Sequence, residues 1–500
     1  MPLTLTPGEN CWRAVPADRF ALIVDGADYF RALRHALAEA RHLAVMIGWD
    51  FDFELNMLPG ESDADGNAPD GLPNQVGPFL EALVDRRPDL DIHLLKWSGG
   101  ALIAPGRILP ALRTKLLSPD QIHLAFDGHH PFGACHHQKI VVIDDALAFC
   151  GGIDVTEGRW DTPDHRADEP RRTLRSGEIG QPWHDMSAVL TGDAARALGQ
   201  LARARWDRAN DGPITEPPSD TDPDALWPPT IAPDFRGATV AIARTHPPET
   251  DAPAVAEIER LYLDSIAAAR RSIYIESQYF AADGIAEAIA RRLAEPDGPE
   301  VIVVNPAAAQ GAIEDAAMHV TRSRLMLALQ GADRHGRFRL LSPVSAEGAP
   351  IYVHAKLVIA DDEILRVGSS NIDRRSMGFD TEADVAVLAT TARDRDRIRA
   401  IRHERLAEHL GATPEQVEAA GGMIAALDRL NHGPRRLVPI EPREPGLLGR
   451  FLSDTRLFDP RYRRSAQSRL GLTGRHVFLA VGAAAALGLI AWRRSARRRR

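Results

Sequence analysis

The stretch His137-Gln138-Lys139-Ile140-Val141-Val142-Ile143-Asp144 returns later in the chain as His354-Ala355-Lys356-Leu357-Val358-Ile359-Ala360-Asp361. Each copy reads His-x-Lys-x4-Asp and runs through an aliphatic stretch into a glycine-containing turn. Side chains at i and i+2 of a strand share a face, so each His–Lys pair projects together from one strand end. The chain has four lysines against fifty-six arginines, and two of the four occupy this place. A single chance match has an expectation of roughly 0.01. The repeat is therefore signal, and it predicts a chain built from two similar units.

The surroundings of the two copies match in order. Residues 27–41 have helical periodicity and precede an apolar strand at 43–48; residues 255–270 and 273–280 do the same. A second helix (76–86, 283–294) and a second apolar strand (92–95, 301–304) follow in each half, then a longer helical stretch and the motif. Helix–strand alternation of this kind predicts an α/β fold, with sheets covered by helices and an internal duplication. The expected division is a first unit at 1–210, a Pro-rich linker at 211–235 and a second unit at 236–431. Beyond them come a basic Pro/Arg-rich connector at 432–475 and a hydrophobic, polybasic tail at 476–500. Residues 395–431 read as helical. The polar stretches 56–75 and 157–182 are long for loops of a compact domain and read as binding elements or disordered segments.

The chain is −9 overall, but residues 461–500 hold eleven arginines and no acid, which leaves −20 on residues 1–460. An acidic body argues against broad nucleic-acid binding, where cationic contacts to phosphate supply most of the affinity. Cys11, Cys135 and Cys150 are odd in number and irregularly spaced, and read as unpaired thiols. The first residues carry no secretory signal pattern. An unbroken apolar run from Val477 to Trp492 precedes Arg493, Arg494, Arg497, Arg498, Arg499 and Arg500. It is near the length a transmembrane helix needs, and its arginines suit anionic headgroups. The tail is expected to attach the protein to a membrane surface, with the body on the cytoplasmic side; secretion or cell-surface exposure without a recognisable signal is the alternative.

Near the motifs, Gly151-Gly152-Ile153-Asp154 and Gly368-Ser369-Ser370-Asn371 occupy equivalent places. Gly152, Ser369 and Asn371 are the expected phosphate contacts, since glycine admits close backbone approach and Ser and Asn donate hydrogen bonds. Asp185 and Glu382 open strand-like runs in register and are expected to accept the far ring N–H of a motif histidine, fixing its tautomer. Asp144 and Asp361 are carried as candidate catalytic members of the motif, with a structural turn role as the competing reading. Adjacent His129, His130 and His136 point apart on a strand or turn and read as no metal site. His165 and His184 read as loop hydrogen-bonding residues, with headgroup contact as the alternative.

The paired motifs resemble the phospholipase D superfamily, as do the Gly-Ser-Ser-Asn segment, Ile275-Glu276-Ser277-Gln278-Tyr279-Phe280 and the run Gly152–Asp161. The likeness covers roughly residues 20–410. It implies two homologous α-β-α sandwich domains with one shared active site at their interface, and hence a monomeric catalytic unit. It also implies that one histidine (His137, by analogy) attacks a phosphodiester while the other (His354) protonates the leaving alkoxide. Lys139 and Lys356 would stabilise the non-bridging oxygens, with no metal or cofactor implied. The expected activity is phospholipase D-type hydrolysis of phospholipids such as phosphatidylcholine to phosphatidic acid and a free alcohol. A cardiolipin-synthase-type phosphatidyltransferase is the alternative. A nuclease or a non-catalytic membrane scaffold ranks lower, because the body is acidic and both motifs are complete.

Overall fold

The computed structural model describes residues 3–99, 118–131, 133–209, 212–248, 253–310 and 312–442, with backbone alone for 312–318. The expected tail at 476–500, its arginines and most of the 432–475 connector lie outside the described residues. The first half runs β1 (Arg13–Val24), α1 (Asp25–Ala38), β2 (Leu43–Gly48), α2 (Val76–Arg86), β3 (Asp91–Trp97) and β4 (Ile122–Asp127). It continues with β5 (Ile140–Ile143), β6 (Leu147–Gly151), β7 (Trp183–His184), β8 (Met186–Thr191) and α3 (Asp193–Arg208). After α4 (Pro223–Leu226), the second half runs β9 (Phe235–His246), β10 (Val255–Ala256), α5 (Glu257–Ala268), β11 (Ser272–Ser277), α6 (Asp283–Leu293), β12 (Glu300–Val304) and α7 (Ala312–Ala332). It closes with β13 (Phe338–Val344), β14 (Tyr352–Val353), β15 (Lys356–Ala360), β16 (Ile364–Gly368), β17 (Glu382–Leu388), α8 (Ala392–Leu410), α9 (Pro414–Ala420), α10 (Met423–Leu430) and β18 (Arg436–Pro439).

Among the described residues all of these strands but β7 and β14 make one mixed sheet in the order β18-β13-β12-β11-β15-β16-β17-β9-β1-β8-β6-β5-β2-β3-β4, with β10 beside β9; β7 and β14 pair with each other apart from it. The order reads the same from the centre outward: β1, β8, β6, β5, β2, β3 and β4 answer β9, β17, β16, β15, β11, β12 and β13. The centre is the antiparallel pair β1–β9, whose register runs from Arg13↔Ile242 to Phe20↔Phe235. The halves are thus fused through their sheets as well as facing each other. Pro16 is tolerated because it sits where β1 pairs with β9 alone, before the β8 register begins at Phe20.

The motif strands are apolar on both sides because both sides are covered. Ile140 and Val142 of β5, and Leu357 and Ile359 of β15, enter one central core together with Leu198 and Trp206 of α3 and Leu406 of α8. Val141 and Ile143 face an outer core under α1 and α2, while Val358 and Ala360 face the matching core under α5 and α6. Because residues from both halves build the central core, its burial free energy, roughly 25 cal/mol per Å² of apolar surface, is contributed jointly.

Two expectations change, and one of two alternatives for the polar stretches falls away. The 211–235 linker is packed: Leu226 and Trp227 are buried under α1, and the Thr221 hydroxyl donates to Asp144 Oδ2 at 3.0 Å. Part of the connector is strand, since β18 pairs with the edge strand β13. The polar stretches 56–75 and 157–182 are ordered, and Arg175 of the second ion-pairs Asp52, Glu54 and Glu157. All three cysteines are buried free thiols. Among the described residues no helix is long and apolar enough to cross a membrane.

Candidate active site

The segment leading into each motif crosses to the opposite half. Tyr352–Val353 pairs in parallel with Trp183–His184, and His136 forms the matching bridge with Thr381. As a result His354 N donates to His184 O at 2.7 Å, and His137 N donates to Thr381 O at 3.0 Å. His184 and Thr381 are the residues just before Asp185 and Glu382. Backbone pairing therefore sets each motif histidine against the carboxylate of the other half.

The side chains follow. His137 Nδ1 lies 3.0 Å from both Glu382 oxygens, and His354 Nδ1 lies 2.6 Å from Asp185 Oδ2. Both carboxylates are buried, while His137 keeps 16% and His354 7% of its side-chain surface exposed. A charge-assisted hydrogen bond of this kind contributes roughly 1.5–3 kcal/mol. It orients each ring so that Nε2 is left for chemistry.

Lys139 and Lys356 each fold back onto their own motif histidine, donating to His137 O at 3.1 Å and His354 O at 2.5 Å. Lys139 also pairs with Asp154 at 3.3 Å, whereas Lys356 has Gln278 Oε1 at 3.2 Å in that place. Burial holds His137 well below the ordinary imidazole range, with Lys139 and Lys356 adding to the effect. Burial does the same to His354, assisted by Lys356 and Arg159. Through these fields the two motifs act on each other's histidines. Burial lowers Lys356 to about 7 and raises Asp185 to about 7. Glu382 is also raised by burial, against the opposing pull of the Ser369 and Ser376 hydroxyls and of Lys139. A proton held by the Asp185–His354 pair can sit on either partner, so the pair can retain a second proton into the neutral range.

Several expected site residues prove to have other work. Asp144 and Asp361, expected within the catalytic set, lie beyond the far ends of β5 and β15, about 13 Å of strand or more from the motif histidines. Asp144 accepts from the N–H groups of Arg41, His42 and Leu43 at 2.8, 2.9 and 2.7 Å. Asp361 accepts from Arg270, Arg271 and Ser272 at 2.9, 2.8 and 2.9 Å. Both adopt left-handed backbone, φ 50° and 53°. They anchor the starts of β2 and β11. Ser369, expected at phosphate, donates to Glu382 Oε2 at 2.5 Å, and Ser376 donates to Oε1 at 2.7 Å. Gly152 uses its N–H on Met186 O at 2.8 Å, and a Cβ there would lie 2.2 Å from Asp185 Oδ1. Its place is reserved for that carboxylate. Asn371 keeps a side-chain amide whose buried Oδ1 has no hydrogen-bond partner. His165 and His184, read as loop residues, are fully buried between the halves.

Other residues here escaped the sequence reading as site members. Trp183 stacks on Tyr352 at 4.7 Å between ring centroids and lies 5.1 Å from His354, with the Arg159 guanidinium 4.2 Å over its face. Gln278 lines a small depression with Tyr279, Asn305, His319 and Arg322. Arg159 and Gln278 stand inside the strings quoted above for the resemblance, which is the signal that pointed to them.

Residues 123–221 match the family model described as Phospholipase D, and residues 262–397 the one described as Cardiolipin synthase, PLD-like domain. Each match contains one His–Lys motif. The chain belongs to the phospholipase D superfamily. It is 22% identical to phospholipase D alpha 4 of Arabidopsis thaliana, over 78% of this chain and 65% of that protein. It is 23% identical to phospholipase D1 of Saccharomyces cerevisiae, over 79% of this chain and 29% of that protein. The chain thus spans less than two thirds of the length of these curated relatives. Among solved structures, phosphatidylserine synthase of Haemophilus influenzae shares the fold at a TM-score of 0.54 and 11% identity, over 89% of this superfamily member and 94% of that chain.

Proposed function

We propose that this protein is a phospholipase D-type phosphodiesterase that cleaves phospholipids through a covalent phosphohistidine. The supporting observation is the crossed pairing His137–Glu382 and His354–Asp185, which supports one site shared by the two imidazole–ammonium sets. His137 Nε2 attacks phosphorus and forms the N–P bond as the P–O bond to the headgroup breaks; His354 delivers its proton to the leaving alkoxide. His354 then takes a proton from water, which attacks phosphorus and releases His137 with phosphatidic acid as product. Lys139, Lys356 and the Asn371 amide stabilise the non-bridging oxygens, the role of a preformed oxyanion site. Glu382 receives two seryl hydroxyls as well as His137, which offset part of the burial that raises its carboxyl. Asp185 has no hydroxyl donor, and burial raises it to about 7, so it can hold a proton behind the acid. A phospholipid substrate agrees with the names of the relatives. The expected tail at 476–500 would bring the body to an anionic lipid surface.

A transferase is the second reading, favoured by the cardiolipin synthase description of the match at 262–397 and by the fold shared with a phosphatidylserine synthase. The same phosphohistidine would then pass its phosphatidyl group to a lipid or small alcohol. Incubation of the purified chain with a defined phospholipid panel, with and without primary alcohol, separates the readings by product mass. Phosphatidic acid with free headgroup supports hydrolysis; cardiolipin from phosphatidylglycerol supports transfer; cleaved DNA beside untouched lipid overturns both. His137→Ala and His354→Ala should each abolish turnover, and only His354→Ala should trap phosphorylated protein. Retained turnover in both single variants would defeat the assignment.

A further inference from the structure

Directly behind the His354–Asp185 pair lies a second buried cluster that the phosphoryl chemistry does not use. Asp25, His165 and His184 come from the first half and Glu408 from α8 of the second, and their four donor atoms lie within 4.8 Å of one another. Asp25, His165 and His184 are fully buried and Glu408 is 9% exposed. His165 Nε2 stands 3.4 Å from Asp25 Oδ2 and 3.3 Å from Glu408 Oε1, and His184 Nδ1 stands 3.7 Å from Glu408 Oε1. Close as they are, Asp25 Oδ2 and His165 Nε2 have no hydrogen-bond partner. Two fully buried polar atoms face each other without a bond between them.

The opposite nitrogen of each ring is already engaged by a carboxylate. His165 Nδ1 lies 3.0 Å from Asp161 Oδ2, and His184 Nε2 lies 2.7 Å from Glu276 Oε2. Those carboxylates are themselves held, Asp161 by Arg172 at 2.6 Å and Glu276 by the Tyr274 hydroxyl at 2.7 Å. Metal-ligating histidines have this arrangement, because a carboxylate on the far N–H fixes the tautomer and raises the basicity of the ligating nitrogen. Metal–ligand bonds of 2.0–2.1 Å place tetrahedral ligands about 3.3 Å apart. The separations of 3.3, 3.4 and 3.7 Å sit near that edge and are long for hydrogen bonds. Ligation would replace the 2.9 Å hydrogen bond of His184 Nδ1 with Asp25 Oδ1, and Glu408 Oε1 would share the ion with the Arg435 guanidinium, which donates to it at 3.2 Å.

We propose that Asp25, His165, His184 and Glu408 form a structural site for one zinc-class divalent cation, which ties the two halves together beneath the active site. The ion would not touch substrate. It would fix His184, whose carbonyl receives the His354 N–H at 2.7 Å, and Asp25, whose N–H donates to Asp185 O at 2.8 Å. The competing occupant is a pair of protons, which would turn both rings into imidazoliums with the same total charge as one divalent ion.

The test is metal analysis of the full chain, grown with zinc and purified without chelator. One zinc per chain is expected in the wild type, with that equivalent lost in His165→Gln and Glu408→Gln. His409→Gln should keep it, since His409 pairs with Glu276 at 3.3 Å and packs edge-on against His184 without supplying a donor to the four-residue cluster. To avoid dependence on variants that fold poorly, chelator-stripped wild type is reloaded with cobalt(II). The visible absorption of a tetrahedral site should appear and be displaced by equimolar zinc, with the unfolding temperature rising on either addition. Metal-free wild type whose unfolding temperature ignores both ions would assign the cluster to protons and overturn the proposal. Equal zinc in wild type and His165→Gln would place the ion elsewhere and overturn it too.

Discussion

Gly152→Ala adds a single methyl group to the wall of the active site, and its consequence can be worked from distances. The new Cβ would lie 2.2 Å from Asp185 Oδ1 and 3.2 Å from Lys356 Cδ. Ordinary contact begins at 3.4 Å, so the carboxylate must retreat by about 1.2 Å, the difference between 3.4 and 2.2. It has little room, being fully buried, fixed by the Met186 N–H at 2.8 Å and bonded to His354 at 2.6 Å. Misplacing a catalytic group by about 1 Å costs on the order of 100-fold in rate, or about 2.7 kcal/mol in barrier. Overpacking adds a stability loss of about 1–3 kcal/mol. The assay is headgroup release from mixed micelles, with kcat/KM normalised to folded protein by thermal unfolding. Expected is a variant that unfolds cooperatively, binds substrate within a few-fold of wild type and turns over about 100-fold more slowly. Rates within threefold of wild type would show that Asp185 does not orient His354 during the reaction.

Three further outcomes are expected. Ser369→Ala and Ser376→Ala each remove a hydroxyl donor to Glu382, and a lost hydrogen bond to a charged group of about 1.5–3 kcal/mol should lower kcat by roughly tenfold or more while Tm changes little; unchanged kcat in both would separate Glu382 from the chemistry. Lys356 is lowered to about 7 by burial and works only as a cation, so kcat/KM should fall as pH rises through about 7; kcat should fall at higher pH, because bound phosphodiester favours the ammonium. Lys356→Arg should flatten that limb, and an identical limb in the variant would assign it to another group. Asp144→Ala and Asp361→Ala each strand three backbone N–H groups at about 1–3 kcal/mol apiece, so denaturant midpoints should drop sharply while kcat per folded molecule stays near wild type. A large kcat loss at full stability would return both aspartates to the catalytic set.

The elements that announce themselves in the sequence are those whose pattern is local. The apolar run at 43–48 and the helix at 76–86 appear where the periodicity puts them, and α8, α9 and α10 together fill most of the segment read as helical. β1 and β9 do not announce themselves, because Pro16, Asp18 and Gly237 interrupt the apolar pattern, and their strand state is set by pairing with each other. The site divides in the same way. Strand parity puts His137 beside Lys139, and register picks out Asp185 and Glu382 as a matched pair. Which histidine each carboxylate serves depends on the crossing at β7–β14, a tertiary event without local trace. Ser369 and Gly152 were misread for a related reason. Their residue types suit a phosphate cradle, but their backbone groups belong to the sheet, and Ser369 spends its hydroxyl on Glu382.

The mirrored strand order makes the departures from symmetry informative, since equal scaffolds carry unequal side chains. Gly152 answers Ser369, Asp154 answers Asn371, and Asp185 answers Glu382. The first exchange gives a hydroxyl donor to Glu382 and withholds one from Asp185, so the carboxylate behind His137 is the better satisfied. The second gives Lys139 an anionic partner and leaves Lys356 with the neutral Gln278, so Lys356 is the ammonium whose charge most needs an incoming phosphodiester. Under the proposed roles both exchanges point the same way: His137–Glu382 carries the fuller set of hydrogen bonds, and Lys356, lowered to about 7, would gain its charge as a phosphodiester binds. A nucleophile must be neutral and aimed at the outset, and an acid needs its proton only when the leaving group departs. That difference agrees with the proposed roles of His137 as nucleophile and His354 as acid. Swapping residues 152 and 369, as Gly152→Ser with Ser369→Gly, should lower turnover more than Ser369→Gly does alone.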